Sequence, residues 1–168
     1  NRFNKWCELN NAQPGYDNFL SFYTATVDTI IAAQNACIAA ESFGLGICYL
    51  GTTNYTAERI IEILQLPQGV VPVTTIVLGY PDEKPLQTDR LPIDAIVHKQ
   101  VYHDYSNESI KTIYNQKDTS EFYKDIVKTN NVETLAHVFT EKRYAVQNNI
   151  AFSKSLIDVL IKQGFMNQ

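Results

Sequence analysis

Apolar positions recur along this chain at helical spacing, and two short apolar runs between them have the composition of strands. The longest helical segment, residues 28–43, is apolar on most sides because alanines are interleaved with larger aliphatic residues. The predicted strands span 47–50 and 70–79, and the second is expected to be buried on both faces because it is nearly all β-branched. The other predicted elements are a short helical or irregular segment at 3–12, helices at 56–64, 132–139 and 153–163, one or two helices within 106–127, and a turn plus strand at 93–98. Because helices outnumber and separate the strands, the pattern predicts a small mixed sheet covered by helices.

Polar residues and glycines mark the expected helix ends. Thr26 or Asp28 is positioned to cap the long helix, Thr56 the next one, and Gly164 the C-terminus of the last. A glycine-bearing run at 44–52 follows the long helix, and such a stop, strand and turn can place main-chain N–H groups against an anionic ligand. Helices often end at glycine, so this run alone does not identify a ligand.

Composition narrows the class of protein. The 168 residues are 45% hydrophobic and 19% charged, which is typical of one soluble globular domain. The net charge of −4 predicts neither a nucleic-acid partner nor an anionic membrane partner. No apolar run approaches the length of about 20 residues that a membrane-spanning helix needs. The three cysteines form no CxxC pair, and Cys37 and Cys48 are expected to be buried, which favours a reducing, cytoplasmic location.

Candidate catalytic chemistry is sparse. No nucleophile–base set stands out, and His98, His103 and His137 lack the spacing of a metal site, so we predict no catalytic side chain and no metal. His98 is better explained as a satisfied residue at the edge of an apolar run. Arg90 can bind a phosphate through two parallel hydrogen bonds, although surface arginines are common and an ordinary surface position is the better explanation from the local sequence alone.

The order of several short motifs carries more information than any one of them. They lie at 28–36 (Asp-x-x-x-Ala-Ala-Gln-Asn-Ala), 39–51 (Ala-Ala-Glu-Ser-x-Gly-Leu-Gly-x-x-Tyr-Leu-Gly), 62–67 (Glu-x-Leu-x-Leu-Pro), 78–81 (Leu-Gly-Tyr-Pro) and 90–92 (Arg-Leu-Pro). This series resembles the nitroreductase family, in particular its NADPH-dependent flavin reductase and oxygen-insensitive nitroreductase branch. The resemblance runs from about Trp6 to Phe165.

The resemblance implies an α+β fold in an intertwined homodimer that binds FMN at the subunit interface. It also implies ping-pong chemistry, in which NAD(P)H reduces the flavin and the flavin then reduces a small-molecule acceptor: a nitroaromatic, a quinone or a free flavin. By position, Tyr49, Leu50, Gly51 and Thr52 correspond to the family's segment near the flavin ring and phosphate, where Gly51 lets the main chain approach closely. Arg90 corresponds to the arginine that meets the FMN phosphate.

Three departures from the family pattern affect the expected site. Thr88 stands where the family has a lysine, Asp89 adds a negative charge beside Arg90, and Thr52 replaces a glycine. The family's leading arginine- and serine-bearing motif has no counterpart before Trp6, so we expect residues 1–168 to be one nitroreductase-like domain that lacks an N-terminal segment. Two alternatives remain: a non-enzymatic relative with a degraded flavin site, serving binding or regulation, and a helix-rich binding domain unrelated to flavin.

Overall fold

The computed structural model describes residues 1–15, 17–85 and 87–167, and these form seven helices and two strands. The helices are α1 (Arg2–Leu9), α2 (Phe19–Ser42), α3 (Ala57–Leu64), α4 (Asn107–Thr119), α5 (Glu121–Thr129), α6 (Leu135–His137) and α7 (Val146–Lys162), and the strands are β1 (Gly46–Leu50) and β2 (Thr75–Gly79). The chain divides into two compact units, the first made of residues 1–83 with the chain from Ile150 onward, the second of residues 84–149. Within the described residues, no helix is long and apolar enough to cross a membrane.

The two strands pair antiparallel, with Gly46 opposite Gly79 and Leu50 opposite Thr75. Helices with a small sheet make up the predicted α+β class, which is confirmed. The predicted second strand began too early, at residue 70. Residues before Thr75 have no partner in β1, and Pro72 lacks the N–H that a ladder needs. Burial on both faces was also wrong for the isolated subunit, in which Val77 is half exposed.

Helix α2 begins well before the predicted cap residues. Asn18 has extended backbone dihedrals, and its Oδ1 accepts hydrogen bonds from the Ser21 N–H at 3.0 Å and from Ser21 Oγ at 3.1 Å. This side chain satisfies a free N–H of the first turn, so Asn18 caps the helix and Thr26 and Asp28 lie inside it. At the other end, Gly44 has a φ of +78° and turns the chain out of the helix.

The core of the first unit lies where α2, α3 and α7 bury small and aliphatic side chains, with Cys37 only 1% exposed. The Tyr55 and Phe152 rings stack at 4.1 Å, and Phe22 lies 5.7 Å from Phe165. Cys37 is buried as predicted, but Cys48 is exposed. Alternate residues of a strand face opposite sides, and Cys48 lies on the side of β1 that the subunit leaves open.

The ends of α3 and α7 follow the predictions in part. Thr56 occupies the N-cap position of α3, although its side chain makes no capping hydrogen bond. Helix α7 begins at Val146 rather than at residue 153. Gly164 ends it with a φ of +82°, and its N–H donates to the Ile161 carbonyl at 3.0 Å, so the predicted C-terminal cap is confirmed.

The second unit is helical, and its elements differ from the predictions at three places. Ser120 separates α4 from α5, slightly later than the polar stretch at 115–118 where the break was expected. The predicted helix at 132–139 is reduced to the single turn of α6 followed by a π-helical turn, Val138–Arg143. This wider turn carries Val138, which is fully buried. The predicted strand within 93–98 does not form; a 3₁₀ turn at Ile93–Ala95 takes its place.

Candidate functional site

Four of the five predicted site residues form one continuous segment in the first unit, which we call the site turn (Tyr49, Leu50, Gly51 and Thr52). It leaves the end of β1 and enters a 3₁₀ turn, Thr53–Thr56, that leads directly into α3. Thr53, the residue after the site turn, is buried, with 5% of its surface exposed. Its hydroxyl donates a hydrogen bond to the Leu50 carbonyl at 3.1 Å and so stabilises the site turn. The same oxygen lies 3.0 Å from Thr75 Oγ1 on β2. The site turn is therefore held at a defined position against the sheet.

Gly51 leaves open space beside the main chain of the site turn. A Cβ built at this position meets no heavy atom of the described residues within 4 Å, and the φ of Gly51 lies outside the left-handed region. Neither the backbone conformation nor a close neighbour therefore explains the glycine from inside the subunit. Gly51 and Thr52 are both exposed, so the space beside them is available to a group from outside.

Tyr49 attaches the strand to the long helix. Its hydroxyl donates to Gln34 Oε1 of α2 at 3.3 Å. The pKa of the Tyr49 phenol is raised above its ordinary value of 10.0, first by a hydrogen bond with the Cys37 thiol and then by burial. The hydrogen bond to Gln34 ties β1 to α2 through the Tyr49 side chain.

Arg90 lies in the second unit, on an exposed loop. Its Nη1 donates to the Thr88 carbonyl at 3.0 Å, to Thr88 Oγ1 at 2.5 Å and to the Asp89 carbonyl at 3.0 Å. All three acceptors are neutral, so they orient the guanidinium without cancelling its charge. Thr88, which replaces the family's lysine, thus supports Arg90 through hydrogen bonds.

The negative charge of Asp89 is matched by groups on two helices. Lys117 Nζ lies 2.5 Å from Asp89 Oδ2, and the Tyr123 hydroxyl donates to Oδ1. The hydrogen bond from Lys117 and then that from Tyr123 lower the pKa of Asp89 below its ordinary value of 3.8. The same contact raises the pKa of Lys117. Neither partner was predicted from the sequence, because Lys117 and Tyr123 lie 28 and 34 residues from Asp89 and no local pattern links them.

His98, which follows the second unit's 3₁₀ turn (Ile93–Ala95), has a hydrogen-bond partner at each ring nitrogen. His98 Nδ1 accepts the His103 N–H at 3.3 Å, and its Nε2 lies 3.2 Å from the Tyr105 hydroxyl. That hydroxyl donates to the Ala95 carbonyl at 2.7 Å. The interpretation of His98 as a satisfied residue is confirmed. Among the described residues, no group of three or more His, Cys, Asp or Glu side chains is placed to hold a metal ion.

Comparison with known proteins identifies the family. The family model described as "Nitroreductase family" matches residues 21–80, the part that carries α2, β1, the site turn, α3 and β2. The solved structure of a "putative oxidoreductase" from Bacteroides fragilis is 48% identical and superposes with a TM-score of 0.95 over 99% of this chain and 68% of that one. The chain belongs to the nitroreductase family. The resemblance inferred from the ordered motifs is thereby confirmed.

Other nitroreductase relatives carry functional names. An FMN reductase (NADPH) from Bacillus subtilis is 33% identical over 70% of this chain and 48% of its own length. An oxygen-insensitive NADPH nitroreductase from Salmonella typhimurium is 32% identical over 83% of this chain and 55% of its own. A solved nitroreductase from Bacillus subtilis has a TM-score of 0.74 at 26% identity, over 99% of this chain and 67% of that one. The chain thus spans about half the length of the curated relatives it matches.

Proposed function

We propose that this nitroreductase-family chain belongs to an FMN-dependent NAD(P)H oxidoreductase. The observation that carries the proposal is the site turn as a whole: Thr53 holds it against the sheet, and Gly51 leaves its main chain open. A glycine at such a place lets a ligand approach the main chain closely. The similar proteins named FMN reductase and NADPH nitroreductase give that ligand its chemical identity.

The described residues fit a phosphate-bearing ring. In the first unit, Gly51 leaves the main chain of the site turn open to a ligand. In the second unit, taken by itself, the exposed guanidinium of Arg90 carries a charge that its neutral hydrogen-bond acceptors leave intact. When bound, FMN supplies the redox chemistry, taking hydride from NAD(P)H and passing electrons to a nitroaromatic, a quinone or a flavin. Within this proposal, Arg90 binds the phosphate and Gly51 leaves room for the ligand beside the main chain.

Association of two subunits is the second part of the proposal. One side of α2 carries an apolar stripe (Leu20, Val27, Ile31 and Ile38) whose spacing of seven, four and seven residues keeps it on one face of the helix. These side chains are 39–69% exposed in the isolated subunit. An exposed apolar stripe of this length is typical of a protein interface. We infer that it packs against a second copy of the chain.

The same reasoning bears on the alternative of a degraded flavin site. That alternative was motivated by the leading arginine- and serine-bearing motif, which has no counterpart before Trp6, and by Thr88 in place of a lysine. The second motive is weakened, because Thr88 accepts hydrogen bonds from Arg90 and so orients its guanidinium. The three free cysteines favour a reducing compartment, and we propose the cytoplasm.

Flavin titration tests the proposal. The wild-type chain should bind FMN and quench its fluorescence, and the bound flavin should bleach with NADPH in the absence of oxygen. R90Q should weaken FMN binding about 10- to 100-fold, the magnitude of a lost charge-assisted contact, while riboflavin, which lacks the phosphate, binds as before. R59Q is the matched control, because Arg59 is an exposed arginine on α3 that pairs with Glu62. A wild-type chain that ignores FMN refutes the proposal.

A further inference from the structure

An acidic residue, Asp89, directly precedes Arg90 in its loop, and its carboxylate binds groups on two helices. Asp89 contacts Lys117 in the last turn of α4 and Tyr123 in the first turn of α5. We call these three residues the Asp89 cluster. The Lys117 and Asp89 side chains are 19% and 29% exposed, and Lys117 Nζ also lies 4.8 Å from the centre of the Tyr123 ring. The carboxylate is therefore held by partly buried donors from both helices of this junction.

The arrangement separates two neighbouring charges. Within residues 1–15, 17–85 and 87–167, no carboxylate oxygen lies within 4.0 Å of the Arg90 guanidinium. An arginine next to an aspartate in the chain can pair with it, and a phosphate beside an unmatched aspartate is repelled. Lys117 opposes both effects, because its positive charge pairs with the Asp89 carboxylate.

We propose that Lys117 is a positioning residue for anion binding, because it occupies Asp89 and so keeps the positive charge of Arg90 available for a phosphate group. That the phosphate is the FMN phosphate rests on the proposed function. The lowered pKa of Asp89 and the raised pKa of Lys117 mean that both groups stay charged throughout the neutral pH range. The Tyr123 hydroxyl completes the cluster by donating a hydrogen bond to the second carboxylate oxygen of Asp89.

A double-mutant cycle that removes the two charges singly and together tests the inference. K117M releases Asp89 and should weaken FMN binding about tenfold, the order expected from an adjacent unmatched charge at a partly solvated site. D89N removes the carboxylate, and both D89N and the double variant D89N/K117M should bind FMN within about threefold of wild type. Riboflavin binding should stay constant in all of them. If instead the cluster only holds the fold together, all three variants lose affinity for both flavins alike, and the inference is overturned.

Two controls keep that cycle specific. K124M removes a lysine of α5 that pairs with Glu121 on the same helix, so it changes net charge equally while leaving the Asp89 cluster intact. It should bind FMN as wild type does. K117R preserves the ion pair and should rescue binding. Circular dichroism checks each variant's fold, and if K117M does not fold, the inference stands or falls on D89N, whose FMN affinity must remain near wild type.

A second readout separates the inference from the proposed function. Inorganic phosphate is titrated into the full chain while the Nε–H signal of Arg90 is followed by NMR. The signal should respond in wild type and D89N/K117M and respond about tenfold more weakly in K117M. If FMN fails to bind but this pattern holds, the flavin assignment is wrong and the role of Lys117 stands. If phosphate leaves the wild-type Arg90 signal unchanged, the role of Lys117 is refuted.

Discussion

Replacing Ile31 with lysine tests whether the apolar stripe of α2 is an interface between two copies. Ile31 is 58% exposed in the isolated subunit, near the middle of the stripe. Full burial of an isoleucine side chain is worth about 1.5–3 kcal/mol, so covering the remaining exposed part stabilises a dimer by roughly 1–2 kcal/mol per subunit. A symmetric dimer contains the residue twice, which doubles the effect.

I31K removes that contribution and adds the cost of placing an unmatched charge in an apolar contact. The dimer dissociation constant should therefore rise at least about 100-fold. Sedimentation velocity at several protein concentrations measures this shift directly. In a monomeric protein the same substitution would replace an exposed side chain and change stability by no more than about 0.5 kcal/mol.

Two variants make the result specific. I31L keeps the apolar contact and should dimerise as wild type does. I63K introduces the same charge at an isoleucine of α3 that is 63% exposed and lies outside the stripe, and it should leave the dimer intact. The reasoning fails if I31K remains dimeric at the wild-type concentration, or if the wild-type chain sediments as a monomer throughout.

Two further predictions concern stability. L160A should lower the free energy of unfolding by about 2–5 kcal/mol, because Leu160 of α7 is 4% exposed and lies in the core. I161A, at the next residue of the same helix, which is 57% exposed, should cost less than about 1 kcal/mol, and equal losses in urea unfolding would contradict this. The stability advantage of wild type over D89N/K117M should also depend on pH. The pKa of Asp89 is lowered, so its contribution is present above 3.8, the ordinary value, and is lost as pH falls through the folded-state value. The pKa of Lys117 is raised, so its contribution is present below 10.5 and is lost as pH rises through the folded-state value. Thermal unfolding should show a constant difference at neutral pH that shrinks at both extremes; a difference that persists in strong acid would argue against the ion pair.

Features governed by neighbouring residues could be predicted well. The existence of β1, the helix after the site turn and the cap at Gly164 follow from short patterns that act within a few residues. Family membership followed from the order of the motifs, because each motif is a short local pattern that can be recognised without the tertiary structure. The start of α2 was predicted less well, because Asn18, Thr26 and Asp28 are all suitable N-cap residues. Only the hydrogen bond between Asn18 and Ser21 in the structure shows which of them caps the helix.

The sequence by itself determined most of the helices and the existence of both strands, because periodicity and glycine placement act locally, and the order of its motifs indicated the nitroreductase family. Only the tertiary structure decided which groups meet. It set the start of β2 through the length of its partner strand and exposed Cys48 through the open side of the sheet. It also matched Asp89 to Lys117 and Tyr123 across 28 and 34 residues. Contacts between residues this far apart in the chain depend on how the helices pack. No pattern in the residues between them predicts an individual contact.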